Sequence, residues 1–199
     1  MGLGGDHLLT NRVRILPVRE NALYFSETLH LPVRPMIGVI GTAPAGDPIS
    51  NGTPGPHGGN MDTKVIAKGA TLYLPVAVEG ALLAMGDLHA AMGDGEISVC
   101  GGEIAGEVTV QIRVIKGQPY PLPFLTDRDN VYTIHSAETL DAAANQAAKS
   151  MVAHLESKGM DPHDALSLLS LTGNLQVSQI VDPLKTARFA FPKIYYDQL

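Results

Sequence analysis

Within the stretch Ala84 to Glu107, AMGDLHAAMGDGEISVCGGEIAGE, the residues Asp87, His89, Asp94, Glu96, Glu103 and Glu107 fall close together among small and apolar neighbours. A second polar knot, PHGGNMD, spans Pro56 to Asp62. Residues two apart on an extended chain project to the same side. Asp87 with His89, Asp94 with Glu96, and Asn60 with Asp62 therefore form side-sharing pairs. Ala90 to Gly93 is small enough to fold back and bring the first two pairs into one pocket. Taken singly, each acid is an ordinary solvated turn residue. As a set among small and apolar flanks they are harder to leave uncompensated, because buried carboxylates cost several kcal/mol each.

Imidazole and carboxylate together are divalent-metal donors. Zinc takes histidine nitrogen and carboxylate oxygen, whereas calcium takes more oxygen and less histidine. The mix favours zinc, with calcium as the alternative. The expected metal ligands are His57, Asp62, Asp87 and His89. The expected catalytic residues are Glu96 or Glu103 for proton transfer, Asn60 as a donor to a developing oxyanion, and Asp94 beside them. His30, His135, His154 and His163 lack acidic or cysteine neighbours at ligand spacing and read as structural or exposed. Cys100, the one cysteine, reads as an inert buried thiol and excludes an intrachain disulfide.

These residues need a scaffold. The length of 199 residues fits one domain, or one large domain with an appendage. A hydrophobic share of 45% with 17% charged residues suits a folded chain, not a disordered one. The net charge of −6 is dispersed and offers no nucleic-acid footprint. No apolar run approaches the roughly 20 residues of a membrane span. The N-terminus shows no secretory signal, so the expected compartment is the cytoplasm. Phosphate-loop, dinucleotide and G-x-S-x-G patterns do not occur.

Strands are expected at residues 12–18, 22–33, 36–40, 63–68, 71–78 and 107–115, the last with the cleanest alternation. Residues 41–59 are too rich in Gly and Pro for helix or central strand and form a long loop. Ser136 is expected to cap a helix with a stripe of Leu140, Ala144, Ala147, Met151 and Leu155, stopped at Gly159. Asp161-Pro162 starts a second helix that ends at Gly173. Strands at 175–181 and 188–195 close the chain. The expected class is mainly β, α+β overall: a β body at 1–117 carrying the site, and a small α+β part at 118–199 with two helices.

The strings LPVRPMIGVIGTAP, HGGNMDTK and LYLPVAVEGALLAMGDLHAAMGDGE resemble the acetamidase/formamidase family in order and spacing. The likeness continues through residues 136–171 and the Val181 to Pro183 step. It implies a β-rich, sandwich-like fold and a metal-dependent hydrolase of short linear amides that releases ammonia and a carboxylate. Met92 stands where that family usually has Gln. The resemblance also implies a further β portion ahead of Met1. Its place would be taken by a homo-oligomer or a complementary N-terminal β subunit that covers exposed edges. The competing expectation is a non-catalytic metal- or ligand-binding β module, or one subunit of a split amidase.

Overall fold

The computed structural model describes residues 2–117 and 120–199. The fold is mainly β with helices packed on one side, as the sequence leads one to expect. Its centre is a five-stranded antiparallel sheet in the order β10 (Asn174–Gln179), β11 (Lys185–Pro192), β9 (Asn130–Ala137), β8 (Phe124–Thr126) and β6 (Thr71–Tyr73). A second sheet places β4 (Met36–Gly41) between β5 (Gly58–Asn60) and β7 (Ala84–His89). A hairpin sheet of β1 (Val18–Arg19), β2 (Ala22–Tyr24) and β3 (His30–Pro32) precedes them.

Both faces of the large sheet are buried. Phe124, Val131 and Phe191 point one way, onto Met151 and Leu155 of α1 (Leu140–Ser157) and Ala165 and Leu169 of α2 (Pro162–Thr172). Leu125, Tyr132, Ile134 and Ala190 point the other way, onto Ile40, Met61 and Ile66. Period-2 geometry divides β6, β8, β9 and β11 between the two clusters. The result is a middle layer with helices on one face and the acid-bearing strands on the other. Residues from both sides of the expected 117/118 division share this sheet and the second cluster, and Gln118 and Pro119 at that division lie outside the described residues. A short α3 (Lys193–Tyr196) closes the chain. No helix among the described residues is long and apolar enough to cross a membrane.

Several local expectations need correction. Thr139, not Ser136, caps α1 and accepts from the Ala142 amide at 3.2 Å. Ser136 belongs to β9 and bonds Thr186 across the ladder. The strand β9 hides its alternation because both of its faces are apolar. The inward stripe of α1 runs through Ala143, not Ala144, then Ala147, Met151 and Leu155. The second helix starts at its Asp161 cap and ends at Gly173 as expected.

Residues 107–115 form no strand, and their alternating side chains are exposed, Ile112 at 68% and Val114 at 70%. Of residues 12–18 only Val18 is paired, while Val13 and Ile15 are more than nine-tenths exposed. Alternation makes a strand only beside a partner, and among the described residues neither 12–17 nor 107–115 has a strand partner. The segment 63–68 turns, and only Thr71–Tyr73 of 71–78 pairs.

Leu155 is fully buried between α1 and the sheet, whereas Leu171 is 84% exposed. Leu155→Ala should therefore lower unfolding free energy by about 2–5 kcal/mol. Leu171→Ala should stay within about 0.5 kcal/mol of the parent. Urea titration of both variants checks this, and equal losses would contradict the packing.

Candidate metal centre

The centre is built around β4. Gly38 lies in the middle of that strand, with Asp87 of β7 opposite it on one side. On the other side the Asp62 amide donates to the Gly38 carbonyl at 3.3 Å. A β-carbon at Gly38 would stand 2.6 Å from Asp62 Oδ1 and 2.7 Å from Asp87 Oδ2. Glycine is required here by close approach, since any side chain would occupy the space between two carboxylates. Gly101 does the same for the imidazole, where a β-carbon would lie 2.6 Å from His89 Nδ1.

His89 ends β7 and is 1% exposed. Its Nε2 lies 3.2 Å from Glu103 Oε1, 3.6 Å from Asp87 Oδ2, 3.8 Å from Asp62 Oδ1 and 4.0 Å from Glu96 Oε1. Among the described residues neither ring nitrogen finds a hydrogen-bond partner, and neither does Asp62 Oδ1. The segment after the turn returns alongside β7. Ala90 donates to Gly102 and Ile104 donates to Leu88, which sets Glu103 beside His89. The backbones of Asp62, Asp87 and Glu96 are left-handed, with φ of 40°, 55° and 47°. Such conformations cost energy and persist only where the surroundings impose them.

The electrostatics are lopsided. Burial, with the charges of Glu96, Asp182 and Asp87 adding to it, pushes the Asp62 carboxyl up to about 9. Burial also raises Glu96 and Glu103, each partly offset by His89, and raises Asp182. So many carboxylates cannot all ionise together without a positive partner. Two sets of donor atoms, Asp62–Asp87–His89 and His89–Glu96–Glu103, each lie within 4.8 Å of one another. The unpartnered buried imidazole, the glycine-lined space and the oxygen-rich donor set all fit a divalent cation.

Of the residues singled out in the sequence, Asp62, Asp87, His89, Glu96 and Glu103 come together. Three do not join them. His57 is buried in the approach to β5, its ring unpartnered beside Gly55 and Gly59, with burial lowering its pKa. Asn60 donates from Nδ2 to Asp182 Oδ2 at 3.0 Å. Asp94 turns away from Glu96 and takes both Nη2 contacts of Arg188, at 2.8 and 2.9 Å, together with Lys64 at 2.8 Å. The side-sharing rule fails at this pair because Gly95, between them, has φ of 94° and Glu96 is left-handed too, which turns the chain out of the extended form. Cys100 is exposed, contrary to expectation.

Sequence reasoning missed Gly38, Gly101, Asp182 and Arg188. A lone glycine inside the apolar run MIGVI was a legible sign of close approach. Asp182 and Arg188 carried no local sign, for they reach the site only through tertiary packing.

Two outcomes are expected. Without a cation the folded chain keeps a proton on Asp62 that the unfolded chain loses near the ordinary 3.8. Stability therefore falls as pH rises from about 4 towards about 9, with Glu96, Glu103 and Asp182 acting in the same direction. Thermal melts in chelator should show this decline, flattened by Zn2+ and shallower in Asp62→Asn. A parent melting temperature that climbs with pH, or an unchanged slope in the variant, contradicts it. Gly38→Ala should weaken Zn2+ binding measured by calorimetry by at least about tenfold, equivalent to about 1.4 kcal/mol of crowding. Parent-like affinity would show that the space at Gly38 is not part of the centre.

Comparison with known proteins agrees with this architecture. The chain superposes with a TM-score of 0.91 on the acetamidase of Bacillus halodurans, at 57% identity over 92% of this chain and 63% of that one. It superposes with a TM-score of 0.88 on the acetamidase of Yersinia enterocolitica, at 34% identity, covering 92% of this chain and 56% of that one. The formamidase of Methylophilus methylotrophus is 34% identical over an alignment of 140 residues that covers 58% of this chain and 34% of that protein. The chain thus spans less than two thirds of the length of these relatives. The sequence pattern of one family matches residues 48–197, a range that holds all five convergent side chains and the sheet behind them. The chain belongs to the acetamidase/formamidase family.

Proposed function

We propose that this centre hydrolyses short linear amides of the formamide and acetamide type to a carboxylate and ammonia, with a divalent cation, zinc first and calcium second. The observation that carries the reading is His89: a buried imidazole facing four carboxylate oxygens within 3.2–4.0 Å and hydrogen-bonded to none. The names of the relatives, acetamidase and formamidase, supply the substrate class.

Asp62, Asp87 and His89 hold the cation. When bound, it supplies Lewis acidity that polarises an amide carbonyl and makes water a better nucleophile at neutral pH. An open groove of about 550 Å³ is lined by Asp87 and Glu103 of this cluster, together with Gly86, Leu88, Ile104 and Gly106. Leu88 and Ile104 give a short acyl group apolar contact. Glu103 is half exposed at the groove, while Glu96 is buried behind it. Glu103 is therefore the carboxylate that reaches substrate. It takes a proton from the attacking water as the C–O bond forms, then gives it to the nitrogen as the C–N bond breaks. Its burial-raised pKa suits a group that must both accept and donate. Asn60 acts by holding Asp182 beside the buried acids, since its amide already donates there. The cytoplasm is the proposed setting.

A second reading rests on the exposed apolar residues of 107–115 and 8–18. In it the chain is one subunit of a split amidase, or a homo-oligomer, and another β segment covers these edges before turnover.

Ammonia release from formamide and acetamide, with and without chelator, tests the first reading. Activity should vanish with chelator and return with Zn2+. Glu103→Gln should lower kcat by about 10²–10⁴-fold and leave Zn2+ binding within a few fold. Full activity in chelator would contradict metal dependence. Stoichiometric Zn2+ with no turnover of any short amide would favour the second reading.

A further inference from the structure

Arg188 stands in the middle of β11, 1% exposed. A guanidinium taken out of water must have its donors satisfied. Its Nε donates to Gln176 Oε1 at 2.8 Å, and its Nη1 to the Val177 carbonyl at 2.8 Å and Ser178 Oγ at 3.1 Å. Its Nη2 grips both oxygens of Asp94. The first three partners lie on the adjacent strand, which the ladder already pairs with β11. Asp94 alone lies far off in the chain and is the group's charged partner.

Each neighbour of this contact leads to a carboxylate of the centre. Asp94 is two residues before Glu96, and it also holds Lys64, two residues after Asp62. Gly95 donates to the Ser178 carbonyl at 2.8 Å and accepts from Ile180 at 3.2 Å. Thr63 donates to Ser178 Oγ at 2.9 Å, the same hydroxyl that Arg188 contacts. Both acidic loops are therefore tied to the end of β10, each through the residue beside its site carboxylate.

We infer that Arg188, acting through Asp94, is a positioning residue that fixes the Glu96 loop against the Asp62 loop and so sets the spacing of the two buried carboxylates. It touches neither. The inference rests on the reading of these carboxylates as a cation centre. Asp94 is then a positioning residue and not a catalytic one. Lysine cannot replace Arg188, because three separate guanidinium nitrogens serve Gln176, Val177, Ser178 and Asp94 at once, and a single ammonium cannot reach all four.

Asp94 is 31% exposed, so Asp94→Asn changes charge without opening the core. Hydrogen exchange of the metal-free full chain comes first. Residues 93–99 should exchange faster in Asp94→Asn and Arg188→Lys, with α1 unchanged. Zn2+ titration follows. Each variant should bind about 10- to 100-fold more weakly than the parent. Combining Asp94→Asn with Glu96→Gln should weaken binding no further than Glu96→Gln alone. Unchanged exchange at 93–99 overturns the clasp. Parent-like Zn2+ affinity, or full additivity with Glu96→Gln, overturns its link to the centre. If the parent itself takes up no Zn2+, Mn2+ or Ca2+, the cation-centre reading fails and the exchange data alone decide the clasp.

Discussion

The structure turns on repulsion that the protein itself does not relieve. Asp62, Asp87, Glu96 and Glu103 crowd one buried imidazole, and Asp182 stands behind Asp62. Lys64 and Arg188 are held by Asp94, and Lys185, bonded to the Asp182 carbonyl, only partly offsets the burial that raises Asp182. Protons can neutralise the cluster, and so can a cation. The space between these groups suits the cation proposed here, since glycine stands at two points where a methyl group would close it. The protein also holds three of the acids in left-handed backbone.

The layers follow from this constraint. The five-stranded sheet, backed by α1 and α2, is the rigid wall. Its other face packs on Ile40, Met61 and Ile66, which stand beside the loops that deliver Asp62 and flank Gly38. The β10 end of that wall reaches out through Ser178 and Gln179 to hold Gly95, and Asp182 follows within a few residues. The last strands are thus part of the site's frame, although the sequence places them far from the acid-rich stretch.

Much of the centre was legible because its acids and imidazole lie near one another in the chain. Asp87, His89, Glu96 and Glu103 fall within one return of the backbone, and Asp62 within a glycine-bound loop. What misled was direction. Pairwise alternation put Asp94 beside Glu96, but positive φ at Gly95 and Glu96 turns those partners apart. The strand β9 was invisible because an alternating pattern disappears when both faces are buried. The reverse error arose at 107–115, where a clean alternation has no partner among the described residues. Family resemblance corrected none of these details, though it set the class and the chemistry.

The central claim is that one imidazole and several carboxylates hold a single divalent ion. Metal analysis of the purified chain, joined to X-ray absorption at the metal edge, tests it most directly. The account predicts about one equivalent of metal, with oxygen donors and one imidazole in its shell at roughly 2.0–2.2 Å if the ion is zinc. A chain that stays metal-free after reconstitution, or a shell with two imidazoles that draws in His57, would contradict it.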